Sequence, residues 1–170
     1  MRTAKTDHGT VDRDHATTGQ GAARRPTTMR AAMQDTYGGA EVVRVATREV
    51  PAIADDEVLV EVVAAGVDRG VWHLMTGRPY LMRLGFGLTR PRQPVLGLDV
   101  AGRVVAVGAA VTRFRPGDEV LGIARGAFAQ HAAAKEAKLV LKPESLGFEE
   151  AAVSTRSEER RVGKECGYQC

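Results

Sequence analysis

Asp68, Trp72, His73 and Tyr80 bring a carboxylate, an indole, an imidazole and a phenol into one short stretch of the chain. A carboxylate can accept a hydrogen bond from a bound hydroxyl. An imidazole with an ordinary pKa of about 6.5 can hand a proton to a reacting group. An indole offers a flat face on which an acceptor ring can stack, and a phenol makes a usable cleft wall. Each residue also has a plainer reading. Asp is a preferred helix N-cap, and a helix is expected from Arg69 to Thr76. Trp72 can serve as an anchoring aromatic, His73 as a surface residue and Tyr80 as part of a loop. Asp99 is expected to pin a kinked strand, Asp118 to form a turn, and His131 to pack within a strand.

Metal and disulfide chemistry find little support. Both cysteines, Cys166 and Cys170, fall in the last five residues. A Cys-x-x-x-Cys pair without a second pair of ligands is a weak metal signal, and one such pair is no disulfide framework. A cysteine-poor body suits a reducing cytosol.

The elements that must position these groups are mainly strands. A first strand opens at Met29, and Glu41 to Val50 alternates roughly in the manner of a second. Val58 to Val67 is a strong β run after the acidic turn Asp55-Asp56-Glu57. Val95 to Val107, studded with Gly97 and Gly102, suits a strand that bends. Pro116-Gly117-Asp118 makes a turn before a strand from Glu119 to Ile123. Phe128 to Ala134 and Leu139 to Leu141 complete the set. Two helices are expected, Arg69 to Thr76 and Gly147 to about Val153. Residues 78–94 form a Gly- and Arg-rich loop whose Leu81, Met82, Leu84 and Phe86 suit a lid or a subunit contact. Short strands, frequent glycine and few helices predict a mainly β, partly open barrel.

Composition narrows the function classes. Apolar residues make up 44%, charged residues 26% and aromatics only 5%, so a soluble domain with a Val-, Leu- and Ala-built core is expected. The net charge of +3 is spread among interleaved acids and bases, which gives no stripe to track a nucleic-acid backbone. No apolar run approaches the roughly 20 residues needed to span a bilayer. Residues 1–28 hold a single aliphatic residue, Val11, after Met1. They read as a disordered extension or as upstream of a true start at Met29.

Seven motifs occur in order. Met29-Arg-Ala-Ala-Met and Asp56-Glu-Val-Leu-Val-Glu-Val come first, followed by Ala65-Gly-Val-Asp-Arg. Pro94-Val-Leu-Gly-Leu-Asp-Val-Ala-Gly-Arg-Val and Phe114-Arg-Pro-Gly-Asp-Glu-Val come next. Gly126-Ala-Phe-Ala-Gln-His-Ala and Lys142-Pro-Glu-Ser-Leu-Gly-Phe-Glu-Glu-Ala-Ala close the series. Together, residues 29–155 resemble the N-terminal GroES-like domain of the medium-chain dehydrogenase/reductase superfamily, nearest its quinone oxidoreductase (zeta-crystallin-like) branch. The zinc-dependent members of that superfamily place a catalytic Cys where Asp68 stands, a zinc-binding His where Leu98 stands, and a four-cysteine lobe after the segment matching Gly117 to Val120. None of these is matched, so the resemblance implies an enzyme without zinc.

What the resemblance implies is hydride transfer from NADPH or NADH to a quinone or an activated carbon–carbon double bond. This domain would bind the acceptor, with Asp68 and His73 as candidate catalytic groups and Asp68, Trp72 and Tyr80 as acceptor-binding ones. Asp68 would lie at the cleft floor, able to meet substrate or nicotinamide ribose. Partners would be a small molecule and, for the parent protein, a second subunit; neither nucleic acid nor membrane is implied, and the location is cytoplasmic. A dinucleotide fold needs Gly-x-Gly-x-x-Gly between a strand and a helix. Neither Gly19-Gln-Gly nor Gly85-Phe-Gly completes that motif, so no cofactor binding or turnover is expected of this chain alone. Residues 156–170 resemble translated sequencing-adapter sequence, which would make the chain a truncated fragment. Two other readings stay open: a non-enzymatic module for a small ligand or protein, and a zinc-free alcohol dehydrogenase.

Overall fold

The period-two burial of Thr28–Met33 sets the first strand: Met29, Ala31 and Met33 point inward while Thr28 and Arg30 face out. This strand, β1, pairs antiparallel with β2 (Arg44–Glu49), in register from Thr28 against Glu49 to Met33 against Arg44. The structure, a computed structural model, describes residues 27–155. The expectations for residues 1–26 and for 156–170, including Cys166 and Cys170, lie outside the described residues.

Five further strands form one antiparallel sheet: β3 (Glu57–Gly66), β4 (Asp99–Val107), β5 (Glu119–Ile123), β6 (His131–Lys135) and β7 (Leu139–Leu141). Their spatial order is β6-β3-β4-β5-β7. β1 leans on this sheet through single bridges from Ala31 to Ala129 and from Met33 to Val95. Ala32 N–H donates to Phe128 O at 2.8 Å, and Leu96 N–H donates to Ala32 O at 3.1 Å. The fold is therefore the expected mainly β, partly open one, with its sheets not closed into a barrel.

One face of the large sheet encloses Val58, Val60, Val100, Val104, Phe114 and Val120. Four of these valines are wholly buried, and among the described residues Phe114 is the only aromatic in the buried hydrophobic core. The expected core of Val, Leu and Ala is what forms. The opposite face carries a smaller cluster, in which Ala101 and Leu121 meet Ala151 and Ala152 of a helix at 148–155. Small residues let that helix come close. A Cβ added at Gly66 would lie 2.7 Å from Ala152 O. Lys142, its side chain only 6% exposed, ties the same corner together. Its Nζ donates to Leu146 O at 2.8 Å and pairs with Glu119 Oε2 at 3.1 Å.

Several boundaries differ from the sequence reading for local reasons. The second strand begins at Arg44, because Ala40–Val42 coil into a 3-10 turn and Gly39 N–H donates to the Glu41 carboxylate at 2.7 Å. The long bending strand divides. Val95 makes only a bridge, and pairing resumes at Asp99. Gly97 sits between them at φ 91°, where a Cβ would be 2.5 Å from Phe128 N. Only glycine fits that conformation and that approach. The final strand of this region starts at His131, with Ala129 bridging β1 instead.

Candidate functional site

The helix expected from Arg69 to Thr76 forms over those residues and is α1. Asp68 caps it: its Oδ1 accepts from Val71 N at 2.9 Å, so the plainer reading of this residue holds. Gly77 closes α1 in the left-handed conformation, and its N–H donates to His73 O at 2.8 Å. The next residues coil as a 3-10 turn, Tyr80–Met82, and a single helical turn, α2 (Arg83–Phe86), which is a helix the sequence reading did not include. The helix at 148–155 is α3.

α1 presents Trp72 and His73 side by side, with ring centroids 5.1 Å apart and edge to face. Trp72 remains 43% exposed, so it is not a buried anchor. The Arg69 guanidinium stands 5.9 Å from its ring, a cation–π distance. His73 Nδ1 lies 2.7 Å from Arg78 O. A carbonyl only accepts, so Nδ1 carries a proton, and Nε2 is the ring atom left to exchange one. Tyr80 sits on the 3-10 turn and is exposed, its ring 4.7 Å from the Arg83 guanidinium.

Arg83 is the residue sequence reasoning missed. Its guanidinium lies 4.4 Å from the Tyr37 ring as well, so it is flanked by two phenols. Its Nε donates to Gly77 O at 3.0 Å and its Nη2 to Thr76 O at 3.3 Å. A cation at the C-terminal carbonyls of α1 is favourably placed against the helix dipole. Tyr37 OH donates to Gly87 O at 2.7 Å, fastening the far end of the same segment. Thr76, Gly77 and Tyr80 lie within seven residues of Arg83, but no local pattern marks the pairing with Tyr37, which comes from a distant part of the chain.

Between α1 and the segment 85–98 lies a cavity of about 180 Å³. Leu74, Phe86, Leu96 and Leu98 supply most of its apolar wall. Gln34 lines it too and is 1% exposed. Its Nε2 donates to Leu74 O and Met75 O at 3.4 and 3.3 Å, while its Oε1 has no partner. Nothing local marks Gln34, a polar residue directly after an alternating strand.

The remaining candidates take structural positions. Asp99 is buried, and its Oδ1 accepts from the Thr155 hydroxyl at 3.0 Å, joining β4 to the end of α3. Asp118 Oδ2 accepts from Arg115 N at 2.8 Å, the turn contact expected of it. His131 is buried in β6, with Nδ1 unpartnered. Among the described residues no three His, Cys, Asp or Glu side chains gather as a metal would require. Leu98 is part of the apolar cavity wall.

Residues 54–144 match the alcohol dehydrogenase GroES-like domain. The chain belongs to that family. It is 34% identical over 139 residues to the NADPH-dependent alkenal/one oxidoreductase of Arabidopsis thaliana, covering 75% of this chain and 34% of that protein. The fold of the quinone oxidoreductase from Coxiella burnetii superposes with a TM-score of 0.70 at 23% identity, over 81% of this chain and 45% of that one. The Escherichia coli quinone oxidoreductase complexed with NADPH gives a TM-score of 0.62 at 28% identity, over 74% and 36%. This GroES-like domain is thus one of the medium-chain dehydrogenase/reductase superfamily, and its relatives are quinone and alkenal oxidoreductases. The chain spans about a third of the length of the curated relatives it matches. Among the described residues the GroES-like domain has no Gly-x-Gly-x-x-Gly cradle for a dinucleotide, and no helix long and apolar enough to cross a membrane.

Proposed function

We propose that this GroES-like domain is the acceptor-binding part of a cytoplasmic, zinc-free NAD(P)H-dependent reductase of quinones or activated carbon–carbon double bonds. The observation that carries the reading is the apolar cavity beside α1, with Leu98 in its wall; the resemblance sets this leucine where zinc-dependent relatives carry a zinc ligand. The NADPH named for the Arabidopsis and Escherichia coli relatives supports the choice of cofactor.

When bound, the cofactor would supply a hydride. Trp72 gives a flat exposed face for a conjugated acceptor. His73, its Nδ1 fixed by Arg78 O, presents Nε2 to return a proton to the reduced acceptor when the ring is charged. Asp68 sets the start of α1 and so the direction in which both rings point. Tyr80 adds a hydroxyl on the exposed loop. A leucine in place of a metal ligand leaves the acceptor carbonyl to be polarised by such donors.

Trp72 is the chain's single tryptophan; it does not line the cavity itself but lies on α1, two residues before the cavity-lining Leu74, so its fluorescence reports on α1. Titration with a conjugated enone should quench it to saturation, and Asp68→Ala should weaken the interaction by loosening α1. Quenching that rises linearly without saturation, equal to that of free tryptophan, would contradict acceptor binding beside α1 and favour a module with another ligand.

A further inference from the structure

Acids and bases interleave along most of the chain, but not from Arg69 to Leu98. That stretch holds Arg69, Arg78, Arg83, Arg90 and Arg92 and neither Asp nor Glu. Its charge exceeds the net +3 of the whole chain, so the remainder is net acidic. Arg83 is turned inward to the carbonyls of α1. Arg69, Arg78, Arg90 and Arg92 are exposed, and among the described residues none of them is in an ion pair. The acids of the neighbouring elements are already engaged. Asp68 accepts from Val71 N, Asp35 pairs with Arg44, and Glu41 accepts from Gly39 N.

The same segment exposes apolar side chains. Helical turns run unbroken from Tyr80 to Phe86, because Met82 and Arg83 both have right-handed helical dihedrals. Leu81 and Leu84, three residues apart, therefore share a face. Leu88 follows just beyond Gly87. All three leucines are exposed, and none belongs to a core cluster or to the acceptor cavity. The surface around them is open: a Cβ added at Gly85 would meet nothing within 4 Å.

Exposed leucines gain by entering hydrocarbon, and unpaired guanidinium groups gain by meeting anions. An anionic lipid surface offers both in one layer. We infer that residues 78–92 dock this chain reversibly on such a surface. Leu81, Leu84 and Leu88 enter the headgroup layer, and Arg78, Arg90 and Arg92 meet lipid phosphates. The inference rests on the reductase reading for its purpose, because Phe86 and Arg92 also line the acceptor cavity. An apolar acceptor dissolved in the lipid then reaches that cavity without crossing water, which favours lipid over a protein partner here.

The test is sedimentation of the full chain with two kinds of vesicle, phosphatidylcholine alone and equal parts phosphatidylcholine and phosphatidylserine, without acceptor. The mixed vesicles should bind at least about tenfold more tightly, and strong salt should remove the preference. Arg90→Gln should weaken mixed-vesicle binding about fivefold, and Arg90→Lys should restore it. Leu81→Ser combined with Leu84→Ser should weaken it by about tenfold or more with the charge unaltered. Equal binding to both vesicles, or binding to neither, overturns the inference. So does a doubly substituted chain that binds as tightly as before. Self-association lost in that chain, with no vesicle binding by either chain, assigns the face to a second copy and equally overturns it. The two-vesicle comparison uses the unaltered chain, so it decides the matter even if a variant misfolds. Enone quenching of Trp72 without vesicles tests the reductase reading separately. Vesicle binding without saturable quenching supports the docking face and overturns that reading alone.

Discussion

The five-stranded sheet and the segment from Arg78 to Arg92 handle their apolar side chains in opposite ways. In the sheet, Val58, Val60, Val100 and Val120 are 0% exposed. In the segment, Tyr80, Leu81, Leu84 and Leu88 are 64% exposed or more. The sheet is held by packing and by an antiparallel ladder whose β3–β4 pairing shifts register between Leu59 and Val60 and between Val62 and Ala64. The segment is held by side chains reaching backbone carbonyls: Arg83 to Thr76 and Gly77, Tyr37 to Gly87, and Arg92 to Gly85. Such contacts position a loop at little cost in burial. Stability is concentrated in the first region, and the recognition proposed above belongs to the second.

Several substitutions break or sharpen that contrast. The largest effect belongs to the sheet. Phe114→Ala should cost roughly 3–5 kcal/mol, measured by denaturant unfolding, because it empties the centre of the main core. Arg83→Ala should cost about 1 kcal/mol, since only hydrogen bonds of net modest worth are lost. The same change should speed proteolysis of residues 78–92 well beyond its effect on global unfolding. A cost equal to that of Phe114→Ala would mean that the segment is part of the core.

The corner at Lys142 offers a pH test. The hydrogen bond from Lys142, joined by that from Arg103, holds the Glu119 carboxyl below the usual carboxylate range. A carboxyl depressed in the folded state contributes stability that is present above its ordinary pKa and is lost as pH falls through the folded one. Thermal midpoints should therefore drop on acidification, and Glu119→Gln should flatten that part of the profile. Midpoints that fall equally in both chains would remove Glu119 from the account. The smallest effect is expected at Leu81. Leu81→Ser should change stability by no more than about 0.5 kcal/mol while reducing self-association in size-exclusion chromatography.

Much of the sheet was legible because its signals are local. The alternation in β1, the turn at Pro116-Gly117-Asp118 and the β-branched run of β3 each act within a few residues. α1 was readable from Asp68 to Gly77, because a cap and a terminating glycine bracket it. The site was legible only in part. Asp68, Trp72 and His73 share α1, but what surrounds them comes from distant parts of the chain. Arg83 gains its meaning from Tyr37 and Tyr80, and Gln34 from the carbonyls of Leu74 and Met75. Gly97 looked like a bend within a strand. Its positive φ against Phe128 instead interrupts the strand and sets Leu98 into the cavity wall.

The central claim is that this domain serves zinc-free reduction of a conjugated acceptor. The most direct test is NADPH consumption by the complete gene product that carries it, in the presence of a strong zinc chelator, with a quinone, an enone and a simple alcohol–NADP⁺ pair as substrates. The account predicts steady oxidation of NADPH with the quinone or the enone, unaffected by the chelator, and no turnover of the alcohol. Activity that the chelator abolishes and zinc restores, or turnover of the alcohol alone, would contradict it.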